Sequence, residues 1–295
     1  MNKSEGRRPD QKFAVICYAV AVAFSTIASS VVSLVVDNGS NLYLYLAYLL
    51  PQVGYITVFF VLYCVGYKNK PSTILAKENV RGTEYALAFF IAVGLLLFAV
   101  LPNRYTVLLF GKIGLHASVT VPTFDHAYDY VLCTLILCVL PAIGEELVFR
   151  KAFCDGMENV ADHKTILLAG LAFALSHFNP AQTLHQFVLG CVLATVYVVT
   201  KNITLPILMH CVNNVLALYL DKITGTAIWE NTAFLAGMCA LGAVIVAGGL
   251  FLLIRMRKGI DRKKTGKIES ITIILLAVLA AVWALMTALS FGGKS

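Results

Sequence analysis

Charged side chains are scarce in this chain. Only 13% of the 295 residues are Asp, Glu, Lys or Arg, about half the share of an ordinary soluble domain. With 59% apolar residues and a mean hydropathy of +0.81, one soluble core cannot hide the apolar surface. Disorder is excluded by the same shortage of charge. Glycine, at 21 residues, is too rare for a collagen-like repeat. The eight cysteines (Cys17, Cys64, Cys133, Cys138, Cys154, Cys191, Cys211 and Cys239) form no C-x-x-C pair, and seven lie inside apolar runs. A disulfide framework or zinc finger is therefore excluded, and the cysteines read as small buried hydrophobes. The chain also lacks H-E-x-x-H, a serine or cysteine nucleophile signature, internal repeats and low-complexity tracts. What remains is a polytopic membrane protein.

Nine apolar runs carry that reading. They are Phe13–Val36, Leu42–Tyr67, Tyr85–Leu101, Ala127–Ile143, Thr165–Phe178, Thr183–Thr200, Asn202–Leu220, Asn231–Ile254 and Ser270–Gly293. Most reach the roughly 17–25 residues that cross a hydrocarbon core; the fifth is only 14 long. The first exceeds a signal-peptide core and reads as an uncleaved span. Between the third and fourth runs lies a loop, Pro102–His126, holding a short amphipathic piece at Tyr105–Leu115 that suits the membrane interface. The eighth run has small residues (Gly237, Gly242, Gly248, Gly249) for close helix packing. The expected fold is all-α, a transmembrane helix bundle of eight or nine spans. Three regions follow: 1–126 with three spans and the loop, 127–220 as a core, and 221–295 with two spans.

The net charge of +7 could signal a nucleic-acid binder, and its distribution decides otherwise. Alternate loops hold 19 of the 23 Lys and Arg residues: the N-terminal tail, the segments after runs two, four and six, and the segment between runs eight and nine. The other side holds only Arg104, Lys112, Lys222 and Lys294. That asymmetry predicts a cytoplasmic N-terminus in a multi-pass plasma-membrane protein, with the bilayer and no nucleic acid as partner.

Fourteen of the sixteen acids sit in tails, loops or span ends; Glu145 and Glu146 do not. They follow the uncharged stretch Tyr130–Ile143 and run on into Leu147-Val148-Phe149. An ionisable group within a span is costly and marks function. Glu146 and Arg150 stand at i, i+4 with the acid N-terminal, the favoured pairing order. Glu145 points about 100° away and is free to act as a base. His177 ends run five, one turn after Phe173. His210 and Asn214 share one face of run seven. His185 sits at the start of run six, at the interface or a cavity mouth, and Asn213 reads as a packing or capping residue. A glutamate, two histidines and an amide without a nucleophile suggest hydrolysis by activated water. The glutamate would take the proton, with histidine or asparagine donors on the oxyanion. A Zn²⁺ held by Glu145, His177 and His210 is the other water activator, and the sequence does not choose between them. One tension stands: helix rise sets Glu145 and His177 at depths about 10 Å apart, closed by tilt or by the fourth helix running beyond Lys151.

Glu145-Glu146-x-x-x-Arg150, Phe173-x-x-x-His177 and His210-x-x-x-Asn214 resemble, in order and on successive spans, the three motifs of the CAAX protease and bacteriocin-processing (CPBP, or Abi) family of intramembrane proteases. The resemblance covers Ala127–Leu220. It implies a CAAX-protease-like endopeptidase acting on a membrane-associated peptide or protein. Glu145 and His177 would activate water, His210 and Asn214 would form the oxyanion site, and Glu146 and Arg150 would complete the catalytic set. Eukaryotic members trim prenylated CAAX proteins, and bacterial relatives are linked to bacteriocin immunity and peptide maturation. A non-catalytic interaction, immunity or regulatory protein on the same fold is the alternative. A proton-coupled transporter is a third reading, weakened by the absence of two related halves.

Overall fold

A computed structural model describes residues 6–75, 78–114, 121–224, 231–257, 261 and 263–292. Among them are nine long helices and no strand: α1 (Gln11–Val35), α2 (Asn41–Gly66), α3 (Gly82–Lys112), α4 (Ala127–Cys154), α5 (Asp162–Leu175), α6 (Pro180–Thr200), α7 (Thr204–Thr224), α8 (Thr232–Met256) and α9 (Ser270–Gly292). Seven are long and apolar enough to cross a membrane. The two that fall short are α5, with 14 residues, and α7, whose apolar stretch is Thr204–Leu220.

Local chemistry sets the helix ends. Asp10 caps α1 by accepting from the Phe13 amide at 2.8 Å, Ser40 caps α2, and Asn179 caps α6 ahead of Pro180. Glu84 turns back to the Arg81 amide at the start of α3. Pro51 and Pro102 lie inside α2 and α3, as membrane helices tolerate. One expectation is corrected here. Pro102 does not end the third span, because α3 continues to Lys112 and takes most of the expected interfacial piece with it. Of the remainder, Ile113 and Gly114 form a turn, and Leu115 lies outside the described residues, as does Gly293 at the end of the ninth run.

The segments expected on one side of the membrane do meet at one end of the bundle. Arg7 donates its amide to the Tyr67 carbonyl at 2.9 Å, and the Gln11 amide reaches the Lys267 carbonyl at 2.8 Å. Asn202 bonds the Glu78 carbonyl, Arg257 pairs with Glu84 through Nη2 at 2.8 Å, and Lys264 pairs with Asp162 at 2.7 Å. At the opposite end, Asn41 bonds Thr123 at 2.9 Å and Tyr45 donates to Asp129 at 2.7 Å. The alternation that the lysines and arginines implied is therefore the one the helices follow.

Of the four α8 glycines, Gly242 packs tightest. A Cβ there would stand 2.3 Å from the Phe98 amide nitrogen and 2.5 Å from the Gly94 carbonyl on α3. Gly249 approaches Ile91, whereas Gly237 and Gly248 face open space.

Candidate active site

Helix α4 carries both glutamates and is not regular. It widens into π-helical turns at Thr134–Val139 and at Leu147–Cys154, a distortion common at functional sites. The second begins directly after Glu146, and every residue from Leu147 to Cys154 is buried. The helix does run past Lys151, to Cys154, which is one of the two ways the depth gap could close.

Glu146 and Arg150 are fully buried, with Arg150 Nε 3.0 Å from Glu146 Oε2. The Nε–H does not align with that oxygen, and Nε, Nη1 and Nη2 have no hydrogen-bond acceptor among the described residues. The guanidinium instead lies over the rings of Phe173, at 5.1 Å, and Phe149, at 5.9 Å. Charge and the faces of two rings hold it. The sequence-predicted pair is present, as an ion contact and not an aligned hydrogen bond.

Glu146 has a second partner across the bundle, since its Oε1 lies 2.9 Å from His210 Nδ1. The carboxylate beside Arg150 accepts, so Nδ1 carries the hydrogen and Nε2 faces Glu145. Glu145 Oε2 stands 3.9 Å from His210 Nε2, too far for a direct hydrogen bond, and has no partner among the described residues. Its Oε1 accepts from Gln52 Nε2 at 3.0 Å. One oxygen is thus pinned by α2 and the other is buried without a hydrogen-bond partner among the described residues.

His177 lies just past α5. Its Nδ1 is 2.8 Å from the Phe173 carbonyl, which only accepts, so the neutral ring keeps a bare Nε2. Phe178 follows with φ +47°, in the left-handed region that costs a non-glycine residue energy. That turn sets His177 at the head of α6. The Phe173 ring lies between the two histidines, its centroid 4.9 Å from His177 and 5.7 Å from His210. Asn214 makes only a long bond, 3.5 Å, to the Leu137 carbonyl, so its amide is loosely held.

Glu145, His177, His210 and Asn214 all line one cavity of about 950 Å³. The expected 10 Å offset in depth does not separate them. Glu146 and Arg150 lie behind that wall. His185, Gln186 and Asn213 line the same cavity, as do Tyr48 and Gln52 of α2. His185 therefore borders the cavity, the second of its two sequence-stated positions. Asn213 was expected to pack or cap; it is buried, and its Oδ1 has no partner among the described residues. Gln52 was missed. Its one signal was a polar amide beside Pro51 in an otherwise apolar run. His177 and His210 present the tautomers that metals bind, yet among the described residues no group of three or more His, Cys, Asp or Glu is arranged to hold a metal ion.

Residues 127–216 match the family model of type II CAAX prenyl endopeptidase Rce1-like proteins. The match is consistent with the CAAX protease and bacteriocin-processing family that the motifs resemble. No curated protein matches the chain. The Rce1-like segment starts where α4 starts and ends two residues past Asn214, so it holds all seven motif residues. Together with the seven long apolar helices it supports an integral membrane protein of the CAAX-protease-like endopeptidase type, at the level of the family, with membrane-associated substrates. Tyr48 and Gln52 fall outside the Rce1-like segment, and α2 therefore completes a cavity wall that the family match does not include.

Proposed function

We propose that the chain is an intramembrane endopeptidase in which Glu145 is the general base. The observation that carries this reading is the division of its carboxylate, one oxygen held by Gln52 and the other buried without a hydrogen-bond partner among the described residues, in a side chain that lines the cavity shared with His177 and His210. A water between Glu145 and His177 gives its proton to Glu145 Oε2, with its second hydrogen on the bare His177 Nε2. The hydroxide attacks the carbonyl carbon of the scissile peptide. Negative charge then gathers on the carbonyl oxygen, where His210 Nε2 and the Asn214 amide donate. For that, His210 carries both ring protons, its Nδ1–H being already given to Glu146. The Glu146–Arg150 pair fixes the ring and balances its charge. Collapse of the tetrahedral intermediate breaks the C–N bond, and the proton on Glu145 goes to the leaving amine. The basic-residue asymmetry further assigns the N-terminus to the cytoplasm of a plasma-membrane protein.

The test is cleavage of a quenched peptide library by the purified full chain in liposomes. Glu145→Gln keeps the shape and the Gln52 contact but removes the base. It should lower kcat by about 10²–10⁴-fold with an unchanged melting profile. Equal turnover in wild type and Glu145→Gln, or none in any form, overturns the reading.

A further inference from the structure

The cavity has a direction. From Glu145 and His210 in the middle of the bundle, its lining runs to Asn103 and Arg104 at the end of α3, to Val121, and to Leu220 near the end of α7. These lie at the end where Asn41 meets Thr123 and Tyr45 meets Asp129. Among the described residues, none of the basic-end segments lines it. Toward the basic end, Glu145 is floored by buried charge. Beneath the Glu146–Arg150 pair, Lys151 Nζ lies 3.3 Å from Asp155, and the Tyr197 hydroxyl donates to Asp155 at 2.8 Å. All of these side chains are buried. A peptide entering from the basic side would have to break this layer, and leaving either charge buried and alone is expensive.

The Lys and Arg distribution assigns the basic end to the cytoplasm. We propose that the substrate reaches Glu145 from the extracytoplasmic side, as a peptide segment presented by the outer half of the bilayer. The inference rests on the endopeptidase reading and narrows it. A prenylated chain anchored at the cytoplasmic leaflet meets the closed floor, whereas an exported peptide meets the cavity. The wall suits such a segment: Leu96, Val100, Ala217 and Leu218 are apolar, with amides of Gln182 and Gln186 among them.

Access can be read without catalysis. Single cysteines are placed at Ala217 or Asn103, both exposed cavity-lining positions, and at Lys263, exposed on the basic end. None of the native cysteines lines the cavity, and they set the background labelling. A membrane-impermeant maleimide is applied to right-side-out and to inverted membrane vesicles carrying the full chain. Ala217→Cys and Asn103→Cys should label in right-side-out vesicles and lose labelling in inverted ones, with Lys263→Cys showing the reverse. Labelling of the cavity cysteines from the same side as Lys263→Cys, or in inverted vesicles only, overturns the proposal. The two cavity positions guard against one variant failing to fold, with size-exclusion profiles as the check. Outer labelling together with absent peptide cleavage in every form would sink the endopeptidase reading and leave the direction of access standing.

Discussion

The two glutamates of the site differ in what holds them. Glu146 is held by Arg150 and by His210, at 3.0 and 2.9 Å, which suits the orienting part it has in the proposed mechanism. Glu145 is held only through Oε1. Gln52→Ala should therefore lower kcat with little change in KM, because a freed carboxylate samples unproductive angles; Gln52→Glu, which puts a second carboxylate beside the base, should move the acid limb of the pH–rate profile upward. A KM rise with kcat intact would show that Gln52 only shapes the cavity. Glu146→Leu leaves a buried guanidinium without its counter-charge and should cost about 3–5 kcal/mol, while Glu146→Leu with Arg150→Met should recover much of that loss in thermal melts. Activity should stay lost in both, since His210 no longer has its acceptor. The motif residues themselves were legible in the sequence, because charge inside a span stands out. Gln52 was not. A neutral amide in an apolar run carries no signal until a partner 93 residues away is placed against it.

At the level of helices, close approaches decide which faces meet. At Gly144 a Cβ would stand 3.2 Å from the Gln52 carbonyl, its Oε1 and Tyr55 Cβ, so the glycine before Glu145 is what lets α2 come near enough to bond it. Between α3 and α8 the same device recurs at Gly242. Gly242→Ala should destabilise the bundle by about 1–3 kcal/mol, whereas Gly248→Ala, facing open space, should leave the melting temperature unchanged. Equal shifts in the two would mean that helix propensity and not packing is at work. The sequence showed that α8 was rich in glycine; which glycine touches another helix depends on rotation of the helix about its axis, which the pattern does not fix. Of the π-helical turns of α4, the first ends two residues before Pro141, whose missing N–H leaves the Leu137 carbonyl without its helical donor; the second, Leu147–Cys154, contains no glycine or proline that would have marked it.

The whole molecule is tied at its basic end by contacts distant in sequence. Asp10 is one tie, accepting from Phe13, Tyr67 and Arg7. Partial burial opposes its charge, but the Phe13 amide, the Tyr67 hydroxyl and Arg7 outweigh it and hold the carboxyl below its ordinary value of 3.8. A folded value that is depressed gives stability that is present above the ordinary carboxylate range and lost as pH falls through the lowered value. Asp10→Asn should remove that part of the acid sensitivity, read as a shallower loss of melting temperature on acidification below about pH 4. An unchanged acid profile would place the sensitivity in the other carboxylates of that end. By itself the sequence determined the class of molecule, the alternation of its loops and the motif residues, because charge is scarce in an apolar chain and costly to bury without a partner. Only the tertiary structure decided that four of those residues share one cavity, that α2 supplies its missing wall, and that the cavity runs away from the basic end. Those facts depend on helix tilt, rotation and close contact between segments far apart in the chain, and no local pattern encodes them.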